Sequence, residues 1–288
     1  DEAGRGPVLG PLVMAACAIE EKELHKLVEL GVKDSKLLTP DQREAIAKEI
    51  HKICKVRIEI VPPNVVDEAV NSKKDNLNHL EARTTAKLLH SLSSRLTLTK
   101  AILDCPSINI KKYTQTMRGL LKREIPLQCE HKADFKYPIV AAASIIAKVN
   151  RDAEMKRVSK LAGADVGSGY MTDPKTHSWL QKNFDGDFGF LRRSWAPIKR
   201  LLSQKSQRSL LDFEKKEEHK QIIAEFDKLQ DFGFKYIEPK GPYEIIRMAG
   251  PENVTATIIK FTTGKILVQG SEDAKKKANA LLQTVGLL

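Results

Sequence analysis

Asp1-Glu2-Ala3-Gly4-Arg5-Gly6-Pro7 runs straight into Val8-Leu9-Gly10-Pro11-Leu12-Val13-Met14-Ala15-Ala16-Cys17-Ala18-Ile19, and this junction decides how the chain is read. The second run is continuously small and apolar, which fits a buried strand. The first sets two carboxylates beside a glycine-flanked arginine. Gly4 and Gly6 lack Cβ atoms, so the backbone there can lie close against a ligand. Carboxylate oxygens suit Mg²⁺ or Mn²⁺, and the Arg5 guanidinium suits phosphate. On these residues alone an ordinary polar turn explains as much. Chain ends fray, so an acidic pair at a terminus is poorly placed for chemistry. The expectation is a short upstream strand that positions Asp1 and Glu2.

Outward from this junction the pattern alternates between helix and strand. Thr39-Pro40-Asp41-Gln42 is a helix start, with Thr39 as N-cap and Pro40 in the first helical position. Ile46, Ile50 and Ile53 then recur at helical spacing. Val56 to Val61 alternates as a half-buried strand and stops at Pro62-Pro63. Leu77 to Leu92 reads as a long amphipathic helix, Ala101-Ile102-Leu103-Asp104 as a short strand ending on an acid, and Val140 to Val149 as a buried helix. From Ser203 the texture turns polar (Ser-Gln-Lys-Ser-Gln-Arg-Ser), which is linker composition. Beyond it, His219 to Leu229 reads as a helix. Strands are expected over Glu244–Met248, Thr255–Thr262 and Lys265–Gln269, and a closing helix near Ser271-Glu272-Asp273.

The 288 residues leave room for one large domain and a small one, and 41% hydrophobic residues can build a core. No apolar run approaches the roughly 18–20 residues that cross a bilayer, and no signal peptide is evident, so a cytoplasmic protein without a membrane partner is expected. Cys17, Cys54, Cys105 and Cys129 lie far apart and read as reduced thiols rather than a disulfide or zinc framework. The net charge is +11, and residues 206–288 hold 13 Lys and Arg against 12 Asp and Glu, so nearly all the excess sits in 1–205. A basic excess confined to one part fits a polyanionic partner such as nucleic acid.

Four acids stand out: Asp1, Glu2, Asp104 at the strand end, and Asp134 within Glu130-His131-Lys132-Ala133-Asp134-Phe135. Taken singly, Asp104 reads more simply as a solvated strand terminus and Asp134 as a helix cap.

The run Asp1 to Pro11 resembles the opening motif of type 2 ribonuclease H, and further runs match in the family's order. They are Lys33-Asp34-Ser35-Lys36, Ile102-Leu103-Asp104, His131-Lys132-Ala133-Asp134 leading into Ala143 to Asp152, and Gly167-Ser168-Gly169-Tyr170-Met171-Thr172-Asp173-Pro174-Lys175-Thr176. Arg193-Ser194-Trp195 resembles the end of that domain. The Gly-Ser-Gly-Tyr and His-Lys-Ala-Asp forms are nearer the archaeal and eukaryotic branch. The resemblance implies an α/β, ribonuclease H-like fold, a mixed central sheet flanked by helices, over residues 1–203. A linker over 204–217 and a small α+β domain over 218–288 would follow.

For activity, the resemblance implies hydrolysis of RNA in RNA–DNA hybrids and nicking 5′ of ribonucleotides embedded in duplex DNA. The products would be a 5′-phosphate and a 3′-hydroxyl. Asp1, Glu2, Asp104 and Asp134 would hold two Mg²⁺ or Mn²⁺ ions. Four like charges share a pocket only when cations neutralise them. Gly4, Arg5 and Gly6 would read the ribose 2′-hydroxyl and Tyr170 would stack on the following sugar, although an aromatic in a Gly-rich turn also packs without any such role. Lys33, Lys36, Lys132 and Arg151 are candidate phosphate contacts.

Gln207-Arg208-Ser209-Leu210-Leu211-Asp212-Phe213 resembles the sliding-clamp (PCNA) binding peptide, in which Gln207, Leu210 and Phe213 would engage the clamp; Glu214 replaces the usual second aromatic. Residues from about 218 resemble the TBP-like domain of type 3 ribonuclease H, which in those chains lies at the other end. A monomer is expected. The rival class is a clamp-tethered hybrid-binding protein lacking efficient catalysis.

Overall fold

The computed structural model describes residues 1–32 and 38–288, apart from the side chains of 208–215. Lys33 and Lys36 lie outside the described residues. The chain divides into two units, Asp1–Ser203 and Gln204–Leu288.

In the first unit, β1 (Glu2–Ala3) and β3 (Lys55–Val61) flank β2 (Leu12–Ala18), all antiparallel, with Glu2 opposite Met14 and Ala15 opposite Ile58. The apolar run expected to be one strand from Val8 is a strand only from Leu12. Gly10 takes a left-handed φ of +83° and Pro11 has no N–H, so the ladder cannot start earlier. Val8 and Leu9 are apolar for a different reason: they are buried against Met155, Trp179 and Leu180.

Helices α1 (Leu24–Glu29), α2 (Pro40–Ile53), α3 (Pro63–Asn71) and α4 (Leu77–Ser93) precede a second, parallel sheet of β4 (Ala101–Asp104) and β5 (Leu127–Glu130), with α5 (Ile110–Leu120) as the crossover. Thr39 caps α2 through a reciprocal pair, its hydroxyl accepting from the Gln42 amide and its own amide donating to the Gln42 side chain. Parallel pairing brings Asp104 opposite Glu130, so both strands end on acids at one edge.

Helix α6 (Ala133–Lys136) follows β5 after two residues, and α7 (Pro138–Ala162) after it. Small side chains let α7 lie close to β2: Ala142, Ile145, Ile146 and Ala147 are buried with Ala15, Leu27 and Ile50. Each fully buried isoleucine contributes about 1.5–3 kcal/mol, so this seam anchors the strand that carries the acidic terminus. Gly163, left-handed at φ +64°, ends α7, and α8 (Pro174–Asn183) follows with Asp173 as its cap.

Helix α9 (Ala196–Asp227) includes residues 204–217, which read from sequence as a linker. No glycine or proline interrupts the chain between Pro197 and Gly233, and Gln, Lys, Arg, Leu and Glu all favour helix. The segment that reads as a linker is therefore helical along its backbone.

The second unit is an antiparallel sheet in the order β6 (Lys235–Tyr236), β7 (Glu244–Ala249), β8 (Thr257–Phe261), β9 (Ile266–Gln269), closed by α10 (Glu272–Thr284). Phe226, Phe234, Met248, Ile258, Ala278 and Leu282 form its buried core. The Thr262–Gly264 turn joins β8 to β9 with Gly264 at φ +83°, and Ser271 caps α10 by accepting from the Ala274 amide.

Between β2 and β4 lies a cavity of about 380 Å³, lined by Ala16, Cys17 and Ala18 on one side and Ala101, Ile102 and Leu103 on the other. Among the described residues β4 pairs with β5 alone, and β2 beyond Ala15 pairs with β3 alone.

Candidate active site

Backbone pairing places the acidic terminus. Asp1 and Ala15 exchange two hydrogen bonds, each 3.0 Å, and the Asp1 side chain accepts from the Glu2 amide at 2.8 Å. Asp1, Glu2 and Asp104 line one pocket, together with Glu81, Thr85 and Tyr113. Asp104 is oriented by the Ala133 amide, which donates to its Oδ1 at 2.8 Å. That amide is aimed by Lys132, whose φ of +56° is the only left-handed non-glycine value among the described residues. Such strain costs on the order of 1 kcal/mol or more and is characteristic of functional turns. The same turn carries Asp134, which is buried and accepts from the Phe135 amide. Asp134 does not line the pocket of Asp1 and Asp104, but its charge is felt at Glu2.

Electrostatics couples these groups. Burial foremost, with the charges of Asp104 and Asp134, pushes the Glu2 carboxyl up; the α-amino group at Asp1 and Arg5 oppose it. Glu81, fully buried, is pushed up to about 7 by burial first and the Glu2 charge second. Its Oε1 accepts from Arg5 Nε at 2.7 Å, while Oε2 is buried without a hydrogen-bond partner. Among the described residues no three Asp, Glu, His or Cys side chains are gathered tightly enough to form a ready-made metal site. The donors at this pocket are carboxylate oxygens, without a thiolate or imidazole, which fits a hard divalent cation.

Glu81 has a consequence for stability. Its folded pKa of about 7 lies above the ordinary 4.5, so the folded state holds the proton more tightly. The stability this provides is full below pH 4.5 and is lost as pH rises to about 7. Glu81→Gln keeps an oxygen for Arg5 and removes the titration. In chelator, this variant is expected to gain on the order of 1–3 kcal/mol relative to the wild type between pH 5 and pH 8. A difference in unfolding free energy that stays constant across that range would contradict the assignment.

The Gly4-Arg5-Gly6 loop sits beside this pocket. Arg5, expected to suit phosphate, is instead tied down by Glu81 and by Asn78 Oδ1 at 2.7 Å. Tyr170, 40% exposed, lies against the loop: a methyl built on Gly6 would meet its ring edge at 3.8 Å. The two glycine-rich turns are zipped together, since the Val8 and Leu9 amides both donate to the Gly169 carbonyl.

Arg151, read from sequence as a phosphate contact, is corrected by its burial. It lies beneath the loop with 2% exposure, donating to the Ser168 and Leu9 carbonyls, with its guanidinium 5.6 Å from the Tyr170 ring centre. Burial lowers its pKa; Nη1 and Nη2 are engaged inside the protein, and Nε is buried without a hydrogen-bond partner among the described residues. Lys132 is exposed beside the acidic turn. His131 Nε2 hydrogen-bonds the Ser107 carbonyl at 2.8 Å, a structural tie between the loops after β4 and β5. Gln207 is exposed on α9; the side chains of Leu210 and Phe213 lie outside the described residues.

Glu81 and Arg192 were not found from sequence. The signal for Glu81 was available: with Leu77, Leu80, Thr84 and Leu88 it occupies the apolar stripe of α4, where an acid needs a reason.

Residues 1–198 match the family model for ribonuclease HII. Ribonuclease HII from Pyrococcus abyssi is 40% identical over 205 residues, covering 70% of this chain and 88% of the relative. The crystal structure of ribonuclease H2 from Pyrococcus horikoshii OT3 superposes with a TM-score of 0.63 at 40% identity, covering 71% of this chain and 95% of that one. Ribonuclease HII in its complex with PCNA from Archaeoglobus fulgidus is 39% identical, with a TM-score of 0.57, over 63% of this chain and 83% of that one. The fold is accordingly ribonuclease H-like. Both its sequence and its architecture establish that the chain belongs to the ribonuclease HII family, metal-dependent hydrolases that act on RNA–DNA hybrids.

Proposed function

We propose that the protein cuts RNA in RNA–DNA hybrids and nicks duplex DNA on the 5′ side of an embedded ribonucleotide, leaving a 5′-phosphate and a 3′-hydroxyl. The observation that carries this reading is the Gly4-Arg5-Gly6 loop, tied through Arg5 to Glu81 of the acidic pocket and lying against the exposed Tyr170 ring. A ribose reader, a sugar-stacking surface and a hydrolytic pocket then fall along one strand of substrate.

Asp1, Glu2, Asp104 and Asp134 would hold two divalent cations, Mg²⁺ or Mn²⁺. Such ions, when bound, lower the pKa of an attacking water and offset charge on the leaving 3′-oxygen. The chain's own contribution is orientation. The Ala133 amide fixes one oxygen of Asp104 and leaves the other for a ligand. Glu81 and Asn78 hold Arg5 so that the loop backbone, not its side chain, faces the substrate. Lys132 offers an exposed cation to a backbone phosphate.

Residues 1–203 are assigned to catalysis and 218–288 to a substrate-binding module. Gln207, Leu210 and Phe213 are assigned to a sliding clamp, supported by the clamp complex of the Archaeoglobus relative.

Tyr170→Ala tests the junction reading. The variant is expected to lose about 10- to 100-fold in kcat/KM on a duplex with one ribonucleotide, because stacking contributes about 1–3 kcal/mol, and much less on a long hybrid with many registers. Equal losses on both substrates would overturn junction recognition by Tyr170.

A further inference from the structure

Arg192 is fully buried, and among the described residues no carboxylate pairs with it. Its fork is spent on backbone instead: Nη2 donates to the Gly4 carbonyl at 2.6 Å, Nη1 to the Arg5 carbonyl at 2.9 Å, and Nε to the Gly10 carbonyl at 3.0 Å. Trp195, whose ring centre lies 5.0 Å from the Arg192 guanidinium, donates Nε1 to the Gly6 carbonyl at 3.0 Å. Burying a charged guanidinium is costly, and apolar side chains would hold two loops together at less expense. Two consecutive carbonyls turned onto one buried guanidinium, with the next held by a half-buried indole, call for a reason beyond stability.

Peptide geometry supplies it. In a trans peptide the carbonyl of one residue and the amide of the next point in opposite directions. With the Gly4 and Arg5 carbonyls drawn onto Arg192, the Arg5 and Gly6 amides face the other way, and neither donates to an acceptor among the described residues. We infer that Arg192, seconded by Trp195, is the positioning residue for ribose recognition: it fixes the peptide planes of the Gly4-Arg5-Gly6 loop so that two amides are presented to the 2′-hydroxyl. This rests on the proposed role of that loop. Lysine cannot replace arginine here, since a single ammonium cannot span carbonyls that a planar fork meets at once.

The test uses Arg192→Lys and the milder Trp195→Phe, which keeps an aromatic ring and deletes one loop bond. Affinities for an RNA–DNA hybrid and for the matching all-DNA duplex are measured in EDTA, alongside unfolding midpoints and amide exchange at Arg5 and Gly6. The wild type is expected to prefer the hybrid. Arg192→Lys should narrow that preference about tenfold and Trp195→Phe about threefold, with faster exchange at both amides and unchanged affinity for all-DNA duplex. Should Arg192→Lys fail to fold, Trp195→Phe decides. Variants that keep the wild-type preference while only their midpoints fall overturn the inference and leave the proposed function standing. A wild type without hybrid preference overturns the ribose-reading loop itself, and the inference with it.

Discussion

Asp104→Asn lowers metal-dependent cleavage of a hybrid by about 10³-fold or more and leaves the fold intact. The Ala133 amide needs only one acceptor oxygen, which asparagine retains at Oδ1. What disappears is the anionic oxygen available to a cation. Transition-state charge stabilisation by a bound divalent ion is worth several kcal/mol, and each 1.36 kcal/mol is tenfold in rate. The Asp104 charge also helps to push Glu2 up, so its removal relieves repulsion. In chelator the variant should melt no lower than the wild type. Steady-state kinetics and a thermal scan check both parts, and undiminished turnover would remove Asp104 from the site.

The second large effect is expected at Gly4. Its φ is +83°, a conformation that costs other residues roughly 1–2 kcal/mol, and a methyl there would overlap Nε and Cδ of Arg151 and lie 2.8 Å from the Pro11 carbonyl oxygen. Arg151 cannot withdraw, because Ser168 and Leu9 hold it. Gly4→Ala should therefore cost about 2–5 kcal/mol of unfolding free energy through strain and overpacking together. Gly6→Ala is the contrast: its Cβ would meet only the Tyr170 ring edge, at 3.8 Å, an ordinary contact. Its stability should change by about 0.5 kcal/mol or less. Urea denaturation of the pair checks this, and equal destabilisation would show that the Gly4 packing is misread.

Much of the frame was legible because local signals were unambiguous. Thr39 does cap α2 with Pro40 in its first turn, and the four-residue strand ending on Asp104 runs as expected. The acidic pair and the two glycine-rich turns were visible as motifs. What sequence could not show was which way buried cations face. Arg151 has the composition of a phosphate ligand, and only the tertiary contact between the turn at 167–170 and the loop at 4–10 reveals that it is buried with Nη1 and Nη2 held by backbone carbonyls. Arg192 lies 188 residues from Gly4, so no periodicity connects them. The apolar run from Val8 concealed a break because hydrophobicity reports burial, not pairing partner. In α9 the polar segment from 204 carries no apolar stripe, so its helical state was not legible from periodicity.

The most direct measurement is incubation of the natural protein with a DNA duplex that contains one ribonucleotide, with Mg²⁺ and in EDTA, and with product ends mapped at nucleotide resolution. A nick 5′ to the ribonucleotide, bearing a 3′-hydroxyl and a 5′-phosphate, absent in EDTA and absent from the all-DNA duplex, is the predicted result. A duplex left whole in both Mg²⁺ and Mn²⁺, or cut equally without its ribonucleotide, would contradict the account.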